Sequence, residues 1–107
     1  MNYNIELTDN FKKEAKRLIK KYKSLKSEIS ELITELETDP TKGISLGNDI
    51  YKIRLAIKSK GKGKSGGARI ISYVKVVENE VLLFSIYNKS EKDTISDKEI
   101  KELIKHL

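Results

Sequence analysis

The sequence predicts an α+β domain, with an antiparallel β-sheet, an N-terminal strand and helical hairpin packed on one face, and a short C-terminal helix. Two observations carry this. Apolar residues recur at steps of three and four through residues 11–36, and from Asp49 the period changes to two. A capping-box sequence then opens one more amphipathic segment near the C-terminus. With 107 residues, the chain is expected to form a single domain over residues 1–107.

Tyr3, Ile5 and Leu7 alternate as a short strand does, and Thr8, Asp9 or Asn10 can cap the helix that follows. In that helix Phe11, Ala15, Leu18, Ile19, Tyr22 and Leu25 form the apolar stripe, and lysines cover the outside. A second helix begins near Ser24 or Ser27, presents Ile29, Leu32, Ile33 and Leu36, and ends before Pro40 because the residue preceding a proline avoids helical geometry. Tyr51, Ile53, Leu55 and Ile57 then alternate with Lys52, Arg54, Ala56 and Lys58, so one strand face meets the helices and the other carries the cations. After a loop over residues 59–66, strands are expected at 67–77 and 81–87, joined by a turn at Glu78, Asn79 and Glu80. With Val74, Val76, Leu82, Phe84 and Ile86 facing the core, parity sends Arg69, Ile71, Tyr73, Leu83, Ser85 and Tyr87 to the outer face with Arg54; a slip of one residue would invert the assignment. Ser96 and Glu99 form the capping box, and Ile100, Leu103, Ile104 and Leu107 line the last helix.

Composition excludes several chemistries. Without cysteine there is no disulfide, thiolate zinc site or cysteine nucleophile, and a single histidine rules out a multi-histidine metal site. No acidic residues converge at metal-ligand spacing, so neither a metal nor another cofactor is expected. No apolar run reaches signal-peptide or bilayer-spanning length, which suits a soluble, cytoplasmic protein without a membrane partner.

The 22 Lys and Arg residues outnumber the 16 Asp and Glu, a net charge of +6, and their placement is uneven. Lys52, Arg54, Lys58, Lys60, Lys62, Lys64, Arg69 and Lys75 fall between Ile50 and Val77 with no acid among them. Such a block inside a folded segment points to a polyanion such as a nucleic acid. Gly63-Lys64-Ser65 resembles part of a nucleotide phosphate loop, but Lys58 occupies the position of the required earlier glycine and a strand follows where that motif needs a helix. What remains is a basic loop whose glycines let backbone amides approach phosphates. Arg54 and Arg69 are two of only three arginines, and on the outer sheet face their planar forks of donors can grip one phosphate. Tyr87 ends the same face, within reach of a ligand held by the arginines.

Three stretches together resemble a known family: Tyr51-Lys52-Ile53-Arg54-Leu55; the loop from Gly61 through Gly66-Gly67-Ala68-Arg69; and Tyr87-Asn88-Lys89-Ser90-Glu91-Lys92-Asp93 before Ile95-Ser96. They are similar to the RelE/ParE toxin superfamily, in particular its HigB-like, RelE-type branch, over about residues 50–104; the N-terminal half agrees in pattern. The resemblance implies the toxin of a type II toxin–antitoxin system, a ribosome-dependent, metal-independent endoribonuclease that cleaves translated mRNA. It also implies a cognate antitoxin, the ribosome and mRNA as partners, with operator DNA engaged only through the antitoxin. Carried to this chain, it assigns catalysis to Arg54, Arg69, Tyr87 and Lys89, and RNA binding to Lys52, Lys58, Lys60, Lys62, Lys64 and Lys92. Metal-free cleavage uses the adjacent 2′-hydroxyl as nucleophile, so proton-transfer groups and cations suffice. A phenol or ammonium ordinarily keeps its proton at neutral pH, and a general base of either type needs a depressed pKa. The usual RelE pattern has an arginine shortly after the last strand, where this sequence offers Lys89 and Lys92. The alternative is the ParE branch, which shares the fold and inhibits DNA gyrase without catalysis.

Overall fold

The computed structural model describes residues 2–61, 66–91 and 95–105, apart from the side chain of Leu103. β1 (Asn4–Leu7) leads into α1 (Asp9–Lys21) and α2 (Leu25–Thr38), followed by β2 (Ile44–Gly47) and β3 (Ile50–Leu55). A 3₁₀ turn (Lys58–Lys60) precedes β4 (Ala68–Lys75), β5 (Glu80–Asn88) and α3 (Asp97–Ile104). The five strands form one sheet in the order β1-β5-β4-β3-β2. The Thr8 hydroxyl accepts the Phe11 N–H to cap α1, and Ser96 and Glu99 close the expected capping box on α3.

α1 and α2 cover one sheet face, where Phe11, Leu18, Leu25, Leu32 and Leu36 pack on Ile53, Ile70, Val74, Leu83 and Ile86. α3 covers part of the other: Ile95 and Ile100 join Ile50, Ile71, Phe84 and Tyr87 in a second, smaller cluster. The outer face is therefore partly core, and Arg54 lies on it as an exposed residue.

Four features depart from the sequence expectation. The N-terminal strand enters the sheet itself, parallel to β5, so the sheet is mixed. β2 was not expected; it pairs antiparallel with β3 through a two-residue turn in which Asn48 and Asp49 both have positive φ, 53° and 64°. The parity of β5 also changes part-way, because the register shifts between Ile71 and Ser72: Ile71 opposes Ser85, and Ser72 opposes Leu83. The slip turns Leu83 into the main core and Phe84 out to α3, the reverse of the expected pair, and sets Leu82 opposite the outward-facing Tyr73. Val76 lies in the hairpin turn, 56% exposed, and not in the core.

Side chains of α1 satisfy the backbone at this irregularity. Asn10 Nδ2 donates to the Phe84 carbonyl at 2.8 Å, and the Ile86 N–H donates to Glu14 Oε1 at 3.2 Å. Glu14 Oε1 also accepts from the Ser85 hydroxyl and from Asn10 Nδ2. Buried backbone groups left without ladder partners thus find partners across the sheet edge.

Candidate active site

The register of the three inner strands builds the site. Arg54 of β3 opposes Arg69 of β4, and Arg69 opposes Tyr87 of β5. Directly opposed residues share a sheet face, and adjacent strands lie about 4.8 Å apart, so the three form a row about 10 Å long across the sheet. Beyond the slip, parity is as expected, and the two arginines and the phenol stand on one side. Arg54 is exposed, whereas Arg69 and Tyr87 are 4% and 5% exposed. The Tyr87 ring belongs to the cluster beneath α3, which fixes its position.

Burial, followed by the charge of Arg54, pushes the Arg69 guanidinium below its ordinary pKa, while Tyr87 opposes the shift. An arginine nevertheless remains cationic at neutral pH. Arg69 Nη1 also donates to the Ala68 carbonyl at 3.1 Å, which holds its plane close to the strand. Among the described residues no carboxylate lies within ion-pair distance of Arg54. Two neighbouring guanidinium groups repel each other until an anion lies between them, so the row is suited to a phosphodiester.

The backbone corner beside the row depends on Gly67. A Cβ there would stand 2.1 Å from the Leu55 carbonyl oxygen, so only glycine lets β3 and β4 approach at their junction. Gly67 O accepts the Lys89 N–H at 3.0 Å, which extends the ladder one residue beyond β5 and places Lys89 on the Tyr87 side. Lys52, half-buried, lies on the same face as Arg54, two residues along β3, opposite Ile71. Lys58 is exposed, and its N–H donates to Glu28 Oε2 at 2.7 Å. Lys62, Lys64 and Lys92 lie outside the described residues.

Lys60, expected to bind RNA, has its ammonium engaged within the domain. Its ammonium donates to Asn88 Oδ1 at 2.6 Å and to the Ser90 hydroxyl at 2.8 Å. Asn88 opposes Ala68, a residue of the main core, so this cluster lies on the face away from the arginine row.

Residues 6–106 match the family described as the RelE toxin of the RelE/RelB toxin–antitoxin system. The chain belongs to the RelE toxin family. The fold is also that of solved RelE structures. The isolated E. coli RelE toxin superposes with a TM-score of 0.61 at 18% identity, covering 98% of this chain and 99% of that one. A double arginine-to-alanine mutant of E. coli RelE in the free state gives 0.60 at 16% identity, with 100% and 99% covered. The intact E. coli RelBE toxin–antitoxin complex gives 0.51 at 21% identity, with 80% and 95% covered.

In this RelE-family chain, the sequence reading missed what anchors the segment after β5. Glu91 accepts from Arg17 Nη2 at 2.9 Å and from Lys21 Nζ at 3.3 Å, so α1 holds the strand end. The periodicity of α1 could show that Arg17 was outward, but not that a carboxylate 74 residues away would meet it. The Arg17 hydrogen bond, with Lys21 adding to it, keeps the Glu91 carboxyl below its ordinary pKa. A depressed carboxyl pKa adds stability above the unfolded-state value, about 4.3, and that contribution disappears as pH falls through the lower folded-state value. The difference in melting temperature between wild type and Arg17→Ala is therefore expected to be small at pH 7, to shrink with salt, and to vanish in acid. Thermal melts at several pH values check this. A difference that grew on acidification would contradict the pairing.

Proposed function

We propose that the chain is the toxin of a type II toxin–antitoxin pair and that it cleaves mRNA on the ribosome by a metal-independent reaction. The cross-strand row of Arg54, Arg69 and Tyr87 on one sheet face, with no carboxylate among the described residues within ion-pair distance of Arg54, supports this most strongly. In the reaction, the ribose 2′-oxygen forms a bond to the adjacent phosphorus and loses its proton, while the bond from phosphorus to the 5′-oxygen breaks and that oxygen gains a proton. Arg54 and Arg69 meet the charge that develops on the non-bridging oxygens, where fixed donors are most effective. Tyr87 and Lys89, at the other end of the row, serve proton transfer at the bridging oxygens. Lys52, Lys58, Lys62, Lys64 and Lys92 bind the RNA or ribosome backbone.

A cognate antitoxin neutralises the toxin and carries any contact with operator DNA. Support comes from the family match and from the solved complex of a related toxin with its antitoxin. Among the described residues no helix is long and apolar enough to cross a membrane, which is compatible with action on cytoplasmic ribosomes. Purified protein added to a translating extract is expected to cut mRNA within codons. If translation continues while gyrase supercoiling stops, the ParE-like reading replaces this one.

A further inference from the structure

Asn88 follows Tyr87, is 1% exposed, and is the hub of a polar cluster on the side of the sheet opposite the arginines. Its Oδ1 accepts from Lys60 Nζ at 2.6 Å, from the Ser90 hydroxyl at 3.0 Å and from the Ser90 N–H at 3.3 Å. Its Nδ2 donates to the Tyr22 hydroxyl at 2.7 Å. The Lys60 ammonium also sits 5.7 Å from the centre of the Tyr22 ring, within cation–π range. Three remote segments therefore meet at one buried amide: the end of α1, the 3₁₀ turn that enters the basic loop, and the end of β5.

We propose that Lys60 is a positioning residue, which with Asn88 and Tyr22 clamps the end of β5 and so fixes Tyr87 and Lys89 beside the arginines. The inference rests on the ribonuclease reading for its catalytic consequence, but the clamp itself does not. A lysine that held RNA would expose its ammonium to phosphate; this one spends two of its three donors on a buried amide and a hydroxyl. Two hydrogen bonds to neutral acceptors, one of them the buried Asn88 amide, give the ammonium a rigidity that a solvated lysine lacks. The Lys89 N–H to Gly67 O bond continues the ladder at the edge of the row, and the Glu91 N–H to Asn88 O bond closes the turn that follows. Asn88→Asp preserves the geometry, since a carboxylate accepts from Lys60 and the Tyr22 phenol can turn to donate.

The test compares wild type, Lys60→Met, Lys58→Met, Asn88→Ala and Asn88→Asp. Lys60→Met keeps the apolar stem and removes the ammonium. It is expected to lower kcat about tenfold while KM stays within about twofold, because a misplaced proton-transfer group costs rate and not ground-state binding. The salt dependence of KM keeps its slope in Lys60→Met, whereas loss of a phosphate-contacting lysine, as expected for Lys58→Met, reduces the slope by about one. Hydrogen exchange at the Lys89, Ser90 and Glu91 amides is expected to quicken about tenfold or more in Lys60→Met and Asn88→Ala and to remain near wild type in Asn88→Asp. Unchanged exchange in both disruptive variants would overturn the clamp, and so would a raised KM with a flattened salt slope at intact kcat. If wild type cuts no mRNA, the ribonuclease reading fails, and the exchange measurement still decides the clamp.

Discussion

Arg69→Ala is expected to slow mRNA cleavage on the ribosome by on the order of 10²-fold or more, the usual cost of removing a fixed donor that meets transition-state charge. Arg69 is central in the row, between Arg54 and Tyr87, and the residue is 4% exposed, with the charge of Arg54 close enough to act on its guanidinium. Little of its binding capacity is spent on solvent, so a phosphate that reaches it gains a desolvated, charge-assisted partner. Arg69→Lys should recover part of the rate, because the charge remains and the planar fork does not. Single-turnover rates with saturating ribosomes measure the effect, and thermal melts of the same proteins separate it from loss of fold. A variant that melts like wild type and cuts at the wild-type rate would remove Arg69 from the chemistry.

Gly67→Ala is expected to destabilise the domain by about 3 kcal/mol and to lower its melting temperature by on the order of 10 °C. The added methyl group would meet the Leu55 backbone oxygen at 2.1 Å, and a strand carbonyl cannot move aside as a side-chain tip can. Relief requires β3 and β4 to separate where Leu55 opposes Ala68, one step from the Arg54–Arg69 pair. Cleavage should therefore fall further than the loss of folded protein explains. Denaturant unfolding and activity at a temperature where the variant is fully folded test the two parts. Wild-type stability would show that the junction has room the geometry denies it.

Much of this arrangement was legible in the sequence because it follows from local periodicity. The amphipathic stripes of α1 and α2, the cap at Thr8, one of three candidates in the sequence, and the Ser96–Glu99 capping box each involve residues a few positions apart. The alternation around Arg54 and Arg69 brought the cations to one face, and the register of β3 and β4 agrees with it. The slip in β5 was not legible, since it depends on Asn10 and Glu14 supplying partners for Phe84 and Ile86 more than 70 residues away. β2 was hidden because all four of its residues are exposed, which leaves no buried face to impose alternation; the Asn48-Asp49 pair was its one local signal. Lys60 reads as one more cation in a basic run, and only the approach of Asn88 and Ser90 shows that its ammonium is already committed.

In the proposed reaction a ribose hydroxyl, aided by an arginine pair and a phenol gathered from three adjoining strands, breaks the RNA chain. The most direct measurement is the chemistry of the new ends made by wild-type protein on a ribosome-bound message. The expected ends are a 2′,3′-cyclic phosphate upstream and a 5′-hydroxyl downstream, with no cut where the nucleotide on the 5′ side of the scissile bond is 2′-deoxy. Ends bearing a 3′-hydroxyl and a 5′-phosphate, or efficient cutting of the deoxy-substituted message, would contradict it.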